Sequence, residues 1–455
     1  MIAAILAMAG ALCLVFGARA DPAPAAARPA AAAPRLATPL WSPRRAPMVL
    51  VSAVTAANLQ RQLSGILAPF DSCVTVDGPG GAVATIGPGR ALAGASTQKL
   101  LVAAASLGVL GASHRFETRA VTNAALHDGT LDGDLTIVGG GDPVLSTSSA
   151  PSTATAPNTP LSDLADAIVR AGVRRIDGAL LADDSRYDRA RAVADWKANY
   201  VTEGDVGALG ALIVNGGRGD DGIAAADPAL DAVQQLATLL SARGVELSGG
   251  ASDPGRATSV GGRVLARVAS PPLDQIVEQM LTVSNDETAE LLTRELGVAR
   301  ARDGTTAAGT RVIVSELSRL GVPMARVVLH DGSGLAPDNR ITCASLLGVV
   351  ALGAQPRFSA ILDGLPVAGR TGTLAGRFGG TTLVGRLRAK TGHIDDVVGL
   401  AGVVGSRLSR AERFAFLANG NFSTATGESL QDQTGEAIGR YLDEPDPRNL
   451  VPAPR

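Results

Sequence analysis

Apolar residues recur with helical spacing in several stretches of the chain, separated by Gly, Pro and Ser. The pattern predicts helices from Ser96 onward and at 58–66, 273–281, 287–296, 305–320, 343–352 and 429–442. The segment 282–286 interrupts two of these helices, so we predict a tight connection there. A side chain on such a connection can project into a cleft.

Shorter apolar runs predict strands in two distant parts of the chain. Residues 73–76 and 81–86 are expected to form a hairpin, and 383–389, 397–404 and 413–418 an antiparallel meander, because their connections are short and contain Gly or Ser. The predicted fold class is therefore α/β (α+β), an antiparallel sheet flanked by helices. We assign this discontinuous domain to residues 49–118 and 264–445.

The block 119–263 has a different sequence pattern, in which short β-like runs are separated by Gly and Asp. Two helices interrupt it, opened by Thr159-Pro160 and Asp227-Pro228, and each pair places an N-cap residue before a proline at the first helical position. We predict that this block is a β-rich insertion.

The N-terminal segment predicts export. An apolar run at 2–16 precedes Ala18-Arg19-Ala20, a small-x-small cleavage pattern, so residues 1–20 are interpreted as a signal peptide. An uncleaved anchor is the alternative, but the run is shorter than the ~20 apolar residues that a span needs. Residues 21–48 are an Ala/Pro-rich linker and 446–455 a Pro-rich tail. We expect an extracytoplasmic protein, in the cell-wall or periplasmic space, with no stable transmembrane anchor after cleavage.

Charge and composition narrow the function further. A net charge of −2 without Lys/Arg runs argues against nucleic-acid binding. Nothing in the composition requires a cofactor, and the histidines lack metal-ligand spacing, so no metal is predicted. After signal cleavage two cysteines remain, Cys73 and Cys343. In an oxidising compartment we expect them to form a disulfide, the alternative being two buried free thiols.

Lysine is almost absent from this chain. It occurs at Lys99, Lys197 and Lys390, and removing these three from the 41 basic residues leaves 38 arginines. Lys99 follows Ser96 by three positions, so both side chains share one face of a helical turn. Arginine cannot replace lysine where a proton must be released and recovered, so Lys99 and Lys390 indicate chemistry. A surface Ser-x-x-Lys turn is the alternative for the first, and Lys197, without a motif around it, is predicted to be a surface residue.

Three short motifs follow one another along the chain: Ser96-Thr97-Gln98-Lys99, Ser284-Asn285-Asp286 and Lys390-Thr391-Gly392. This ordered trio resembles the motifs of penicillin-binding proteins and class A β-lactamases. The long spacing between the first two motifs is similar to class C low-molecular-mass penicillin-binding proteins, which are D-alanyl-D-alanine carboxypeptidases and endopeptidases of the DacB type. Two further segments carry the same resemblance: Gly139-Gly140-Gly141-Asp142-Pro143, and Asp331-Gly332-Ser333-Gly334-Leu335 with Asn339-Arg340.

The resemblance implies an acyl-enzyme mechanism on peptidoglycan stem peptides, with β-lactam antibiotics as covalent inhibitors. Ser96 would attack the carbonyl of the penultimate D-alanine, with Lys99 as the base that takes its proton. Lys390 would keep Lys99 neutral and attract the substrate carboxylate, and Ser284 would relay the proton to the leaving D-alanine. We expect Ser96, Ser284 and Lys390 to converge in a cleft.

The resemblance also assigns binding roles. Backbone N–H groups of Ser96 and of His393, which follows Gly392, would stabilise the oxyanion, and Thr391 would bind the terminal carboxylate. Asp142 would bind the free amine of a diaminopimelate side chain, or else it is simply a turn aspartate. Whether the reaction is that of a carboxypeptidase or of an endopeptidase stays open.

The chain departs from the family pattern at two positions. Asp286 stands where the family has Asn, and a carboxylate beside Lys99 favours the charged amine and weakens it as a base. Asn285 could take the amide's role through a one-residue shift. His393 stands where a small hydroxyl residue is usual, so its imidazole is expected to crowd the carboxylate pocket.

Two other functions are compatible with these motifs. Asp286 favours a weakly active protein that binds peptidoglycan as a scaffold. A serine β-lactamase or esterase on the same fold would need a carboxylate base for deacylation, for which Glu290 or Asp331 are the candidates. Loss of penicillin labelling in Ser96→Ala would support the enzyme over the scaffold, and rapid β-lactam turnover would favour the β-lactamase.

Overall fold

The computed structural model describes residues 47–147, 156–219, 221–252, 262–405 and 411–443. The helices are α1 (Pro47–Leu67), α2 (Lys99–Val109), α3 (Leu161–Arg170), α4 (Asn199–Thr202), α5 (Pro228–Ser241), α6 (Leu273–Val283), α7 (Asp286–Ala301), α8 (Thr306–Arg319), α9 (Cys343–Leu352), α10 (Ala360–Asp363) and α11 (Thr424–Asp443). Short 3-10 helices lie at Ala95–Gln98, Pro356–Phe358 and Gly372–Leu374.

The strands are β1 (Asp71–Gly78), β2 (Gly81–Ile86), β3 (Glu117–Thr122), β4 (Leu126–His127), β5 (Thr130–Leu131), β6 (Leu135–Val138), β7 (Leu145–Ser146), β8 (Thr159–Pro160), β9 (Arg175–Ile176), β10 (Leu180–Asp183), β11 (Glu246–Leu247), β12 (Ala251–Ser252), β13 (Arg263–Ala269), β14 (Leu387–Ile394), β15 (Val397–Gly405) and β16 (Ala411–Asn419). The predicted signal peptide 1–20, most of the linker 21–48 and the tail 446–455 lie outside the described residues. Among the described helices, none combines the length and the apolar character needed to cross a bilayer.

A five-stranded antiparallel sheet in the order β14-β15-β16-β1-β2 joins the two ends of the folded chain. The predicted hairpin and the predicted meander are both present, and β16 pairs with β1 to connect them. Side chains alternate between the two faces of the sheet, as strand geometry requires. Val74 and Phe416 pack with α1 and α11. Cys73 and Leu417 pack on the opposite face with α2 and α9.

The structure joins Cys73 of β1 to Cys343, the first residue of α9, in a disulfide, as predicted. The two residues are 270 positions apart. Closing so long a loop restricts the unfolded chain, so the bond stabilises the packing of α9 against the sheet.

The segment between α2 and α6 forms its own sheets, in the orders β12-β10-β6-β3-β13 and β11-β9-β5-β4. Both contain parallel pairs, such as β10 with β6, and α3 and α5 pack on the first of them. Asp227 caps α5 as predicted. The predicted cap of α3 is wrong by one residue, because Pro160 itself is the N-cap and Thr159 lies in β8. The proposed domain boundaries stay a prediction.

The predicted strand at 383–389 is wrong in its position. Residues 383–386 form a turn, in which the N–H groups of Arg386 and Leu387 donate to the carbonyl of Leu383. The strand β14 therefore begins at Leu387 and runs through Lys390-Thr391-Gly392 instead of ending before this motif. Leu383 is buried in the turn, which explains why its apolar pattern resembled that of a strand.

Candidate active site

Ser96 and Lys99 lie at the point where a 3-10 helix, Ala95–Gln98, continues into α2. The apolar residues that follow Lys99 are completely buried and fix this helix against α6, α7 and α9. Lys99 itself is 0% exposed, and its Nζ lies 2.7 Å from Ser96 Oγ. The three-residue spacing of Ser96 and Lys99 on one helical face thus places the amine within hydrogen-bond distance of the hydroxyl.

The amine of Lys99 has three acceptors, one for each proton of an ammonium group. It donates to Ser96 Oγ at 2.7 Å, to Asp286 Oδ1 at 2.7 Å and to the carbonyl of Ser333 at 2.8 Å. The charged form is therefore fully satisfied at this place. To accept a proton from Ser96, Lys99 must first lose one.

The connection between α6 and α7 carries Ser284, Asn285 and Asp286, in the predicted position. Ser284 closes α6 in the left-handed conformation, with φ of 63°. Asn285 caps α7, since its Oδ1 accepts from the N–H of Thr288 at 2.6 Å. Asp286 is the residue that contacts Lys99, and the structure does not bring the Asn285 amide to that position. The carboxylate is 22% exposed.

Lys390 is the second buried amine of the site. Its Nζ lies 2.8 Å from Ser284 Oγ and 2.8 Å from the carbonyl of Thr391. Burial holds the pKa of Lys390 well below its usual value, the charge of Lys99 lowers it further, and Asp286 partly opposes this. We expected Lys390 to keep Lys99 neutral by its charge. Burial disfavours the positive charge that this role requires of Lys390.

Gly392 lets β14 lie directly on the 3-10 helix of Ser96. A Cβ at this position would stand 2.5 Å from the carbonyl oxygen of Gly94 and 3.0 Å from the nitrogen of Thr97. Thr391 turns the other way, and its hydroxyl lies 2.8 Å from that of Thr373. His393 follows on the same strand and is half-buried.

Asp331 is a structural centre, a role that the sequence analysis did not assign to it. It is completely buried, and its carboxylate accepts from the side chains of Gln98, Trp196 and Asn339 at 2.9, 2.9 and 2.7 Å. Two backbone N–H groups of its own loop, those of Gly334 and Ala336, donate to it as well. The Asp-Gly-Ser-Gly pattern was the available signal, because a turn rich in free N–H groups needs an acceptor.

Glu290 holds the same loop from α7. Its Oε1 accepts from the N–H groups of Gly332 and Ser333 at 2.9 and 2.7 Å. Burial, followed by the nearby charge of Asp331, raises the pKa of Glu290 to about 8. Both carboxylates thus help to fix the loop whose Ser333 carbonyl receives Lys99. Glu290 Oε2 has no hydrogen-bond partner among the described residues, and the role of a β-lactamase base stays a prediction for these two residues.

The segment 195–197, which precedes α4, reaches the site at three points. Asp195 Oδ2 lies 2.9 Å from His330 Nδ1, and Trp196 Nε1 donates to Asp331 at 2.9 Å. Lys197 is partly exposed, as predicted, but it also forms an ion pair of 2.6 Å with Asp395 in the turn after β14. Lys197, which lies outside the three motifs, thus contacts the edge of the site through this ion pair.

Asp142 lies in the loop before β7. It is 2% exposed, and its Oδ1 accepts from the N–H of Val144 at 3.0 Å. Burial raises its pKa to about 6, against the lowering effect of the Thr159 hydroxyl and of the Val144 N–H. Its other oxygen, Oδ2, is buried without a hydrogen-bond partner among the described residues. Amine binding and the role of a turn aspartate both stay predictions for Asp142.

Known proteins share this sequence and this fold. Residues 81–221 and 218–440 match the model of the D-Ala-D-Ala carboxypeptidase 3 (S13) family. A carboxypeptidase of Mycobacterium tuberculosis is 33% identical over 342 residues, which are 71% of this chain and 70% of that protein. A D-alanyl-D-alanine carboxypeptidase of an Actinomadura strain is 28% identical over 433 residues, covering 78% of each chain.

The solved structure of penicillin binding protein 4 from Haemophilus influenzae has a TM-score of 0.72 to this chain at 21% identity. The match covers 85% of this chain and 99% of that one. The predicted fold class is confirmed by this likeness.

We predict that Asp331→Asn lowers the free energy of unfolding by about 3 kcal/mol, because an amide N–H₂ replaces an oxygen that accepts charge-assisted bonds. Urea denaturation followed by circular dichroism measures this change. Asp338→Asn in the same loop is the control, since its side chain is 75% exposed, and its effect should stay within roughly 0.5 kcal/mol. Equal stability of the two variants would contradict the role assigned to Asp331.

Proposed function

This chain belongs to the D-Ala-D-Ala carboxypeptidase 3 (S13) family, and we propose that Ser96 is the nucleophile of its reaction. The family makes the chain a serine-type D-Ala-D-Ala carboxypeptidase that acts on cell-wall peptidoglycan. The observation that supports the assignment of Ser96 is the 2.7 Å contact between its Oγ and the Nζ of the buried Lys99. A serine hydroxyl is a weak nucleophile until an adjacent base takes its proton.

In the acylation step, the Ser96 Oγ forms a bond with the carbonyl carbon of the penultimate D-alanine while its proton passes to Lys99. The carbonyl electrons move onto the oxygen, which the backbone N–H groups of Ser96 and His393 stabilise. The C–N bond to the terminal D-alanine then breaks, and Ser284 relays a proton to the leaving nitrogen. Water hydrolyses the ester and releases the shortened peptide.

Before this step, Lys99 must be neutral. Asp286 and the Ser333 carbonyl favour its ammonium form, so a second base has to hold the proton. Lys390 is suited to that task, because its burial disfavours a charge and its Nζ already contacts Ser284. We therefore assign Lys390 and Ser284 to a proton path that serves Lys99.

The terminal carboxylate of the substrate fits the end of the site formed by β14. Thr391 and Thr373 present two hydroxyls 2.8 Å apart, and both can donate to a carboxylate oxygen. Gly392 keeps the strand close to Ser96, so this carboxylate and the scissile carbonyl reach the same turn. Thr373, which the sequence analysis did not single out, joins Thr391, Gly392 and His393 as a proposed substrate-binding residue.

The remaining assignments follow from the same chemistry. β-Lactams acylate Ser96 in place of the peptide. Asp286 slows acylation by stabilising charged Lys99, and Asn285 supports the site as the cap of α7. Asp142 orders the loop that borders the site, next to Pro143 and Val144. Because peptidoglycan lies outside the cytoplasm, we infer that the protein acts there, with residues 1–20 as the export signal.

We predict that Ser96→Ala abolishes both labelling by a fluorescent penicillin and release of D-alanine from a pentapeptide, because both need the same hydroxyl. Ser113→Ala, which changes an exposed serine, is the control and should retain both activities. D-Alanine release by Ser96→Ala at the wild-type rate would overturn the assignment.

Asp286→Asn should increase the rate of penicillin acylation at neutral pH. Removing the carboxylate removes a charge that favours the ammonium form of Lys99. We expect the rate of acylation at pH 7 to rise by about tenfold, measured by stopped-flow fluorescence. Asp338→Asn should leave this rate unchanged, and slower acylation by Asp286→Asn would sink this explanation.

A further inference from the structure

A cavity of about 510 Å³ lies beside the C-terminal part of α7, away from the lysines of the active site. Its walls include Arg115, Glu117 and Arg119 near and in β3, Asp183 at the end of β10, Arg186 after it, and Val298 of α7. We call this space the Arg119 cavity. Its volume is within the range of about 300–1,000 Å³ that small-molecule sites occupy.

The charges in the Arg119 cavity are only partly neutralised by the protein. Arg186 forms two bonds to the buried Glu295, at 2.6 and 2.8 Å, so its charge is compensated. Glu117 has a cation nearby, since Arg267 lies 3.7 Å from it. Among the described residues, the Arg115 guanidinium donates to one acceptor, the backbone carbonyl of Ser270.

Arg119 itself has no hydrogen bond or ion pair within the part of the chain that the structure describes. It also stands directly opposite Arg267 in the antiparallel pair of β3 and β13. Like charges opposite each other destabilise a sheet. The contacts of the described residues therefore do not neutralise the Arg119 guanidinium, and its N–H donors are available to a ligand.

Asp183 gives a second, independent indication of a ligand. It is 2% exposed, and its Oδ1 accepts from the N–H of Ser185 at 2.9 Å. Its other oxygen, Oδ2, is buried without a hydrogen-bond partner. A buried carboxylate oxygen without a partner is costly, and an N–H donor from a ligand would satisfy it.

We propose that the Arg119 cavity binds a second stem peptide of the peptidoglycan polymer, with a free carboxylate on Arg115 and Arg119 and an N–H group on Asp183. This inference rests on the proposed function, which supplies the peptide nature of the substrate. Guanidinium groups recognise carboxylates through paired N–H donors. A peptide carries the carboxylate and the N–H donor together.

The distance from the active site limits which substrates can use the cavity. Asp286 and Val298 are twelve positions apart on α7, which corresponds to about 18 Å along the helix. The four residues on the acyl side of the scissile bond extend at most about 14 Å. A single pentapeptide bound at Ser96 is therefore too short to span this length, whereas a cross-linked or glycan-linked polymer offers a second stem peptide at a greater distance.

The test compares Arg119→Gln with wild type on two substrates, a soluble pentapeptide and insoluble cross-linked peptidoglycan. We expect roughly a ten- to hundredfold loss of kcat/KM on the polymer, the size expected for one charge-assisted contact, and no change on the pentapeptide. Arg311→Gln is the matched control, because Arg311 is exposed on α8 and does not line the cavity. Arg119→Glu should increase the loss on the polymer.

Binding gives a second readout that does not depend on turnover. In a Ser96→Ala background, Arg119→Gln should reduce the fraction of protein that sediments with peptidoglycan, whereas Arg311→Gln should not. Equal polymer hydrolysis and equal sedimentation by the Arg119 and Arg311 variants would overturn the proposal, as would a parallel loss on both substrates. If Ser96→Ala still hydrolysed the pentapeptide, the proposed function would fail instead, and sedimentation would still judge the cavity.

Discussion

The amine of Lys99 is completely buried, and its three hydrogen-bond acceptors come from three separate segments of the chain. Burial of an ion costs several kcal/mol unless its protons are bonded. The acceptors come from the turn of Ser96, from the first residue of α7 and from the loop that follows Asp331. Much of the remaining architecture serves to hold these three segments together.

The loop at Ser333 shows how far this requirement extends. The carboxylates of Asp331 and Glu290 accept hydrogen bonds from N–H groups of this loop. Trp196, in the segment before α4, also donates to Asp331. On the other side, Gly392 lets β14 approach the turn of Ser96 so that the second lysine is buried as well. The disulfide between β1 and α9 ties the helical layer to the sheet. The reaction at the site thus depends on contacts made by residues that do not take part in the reaction themselves.

The sequence predicted much of this arrangement, for physical reasons that are local. Apolar periodicity identified α8, α9, the interruption between α6 and α7, and the strands β15 and β16. It could not separate a buried turn from a strand at Leu383, because burial gives both the same apolar pattern. The scarcity of lysine pointed to Lys99 and Lys390. Which of the two amines carries the charge was not predictable, because this depends on their burial and on the contact between Asp286 and Lys99.

The charge states of the two buried amines are the central claim, and lysine scarcity makes them measurable. With ¹⁵N-labelled lysine, the side chains give three Nζ signals by NMR, and Lys197, which is partly exposed, serves as the internal reference. The substitution Lys197→Arg identifies the reference signal, because that signal is then lost. At pH 7 we predict an ammonium signal for Lys99 and a neutral amine signal for Lys390. An ammonium at Lys390 together with a neutral amine at Lys99 would contradict the account.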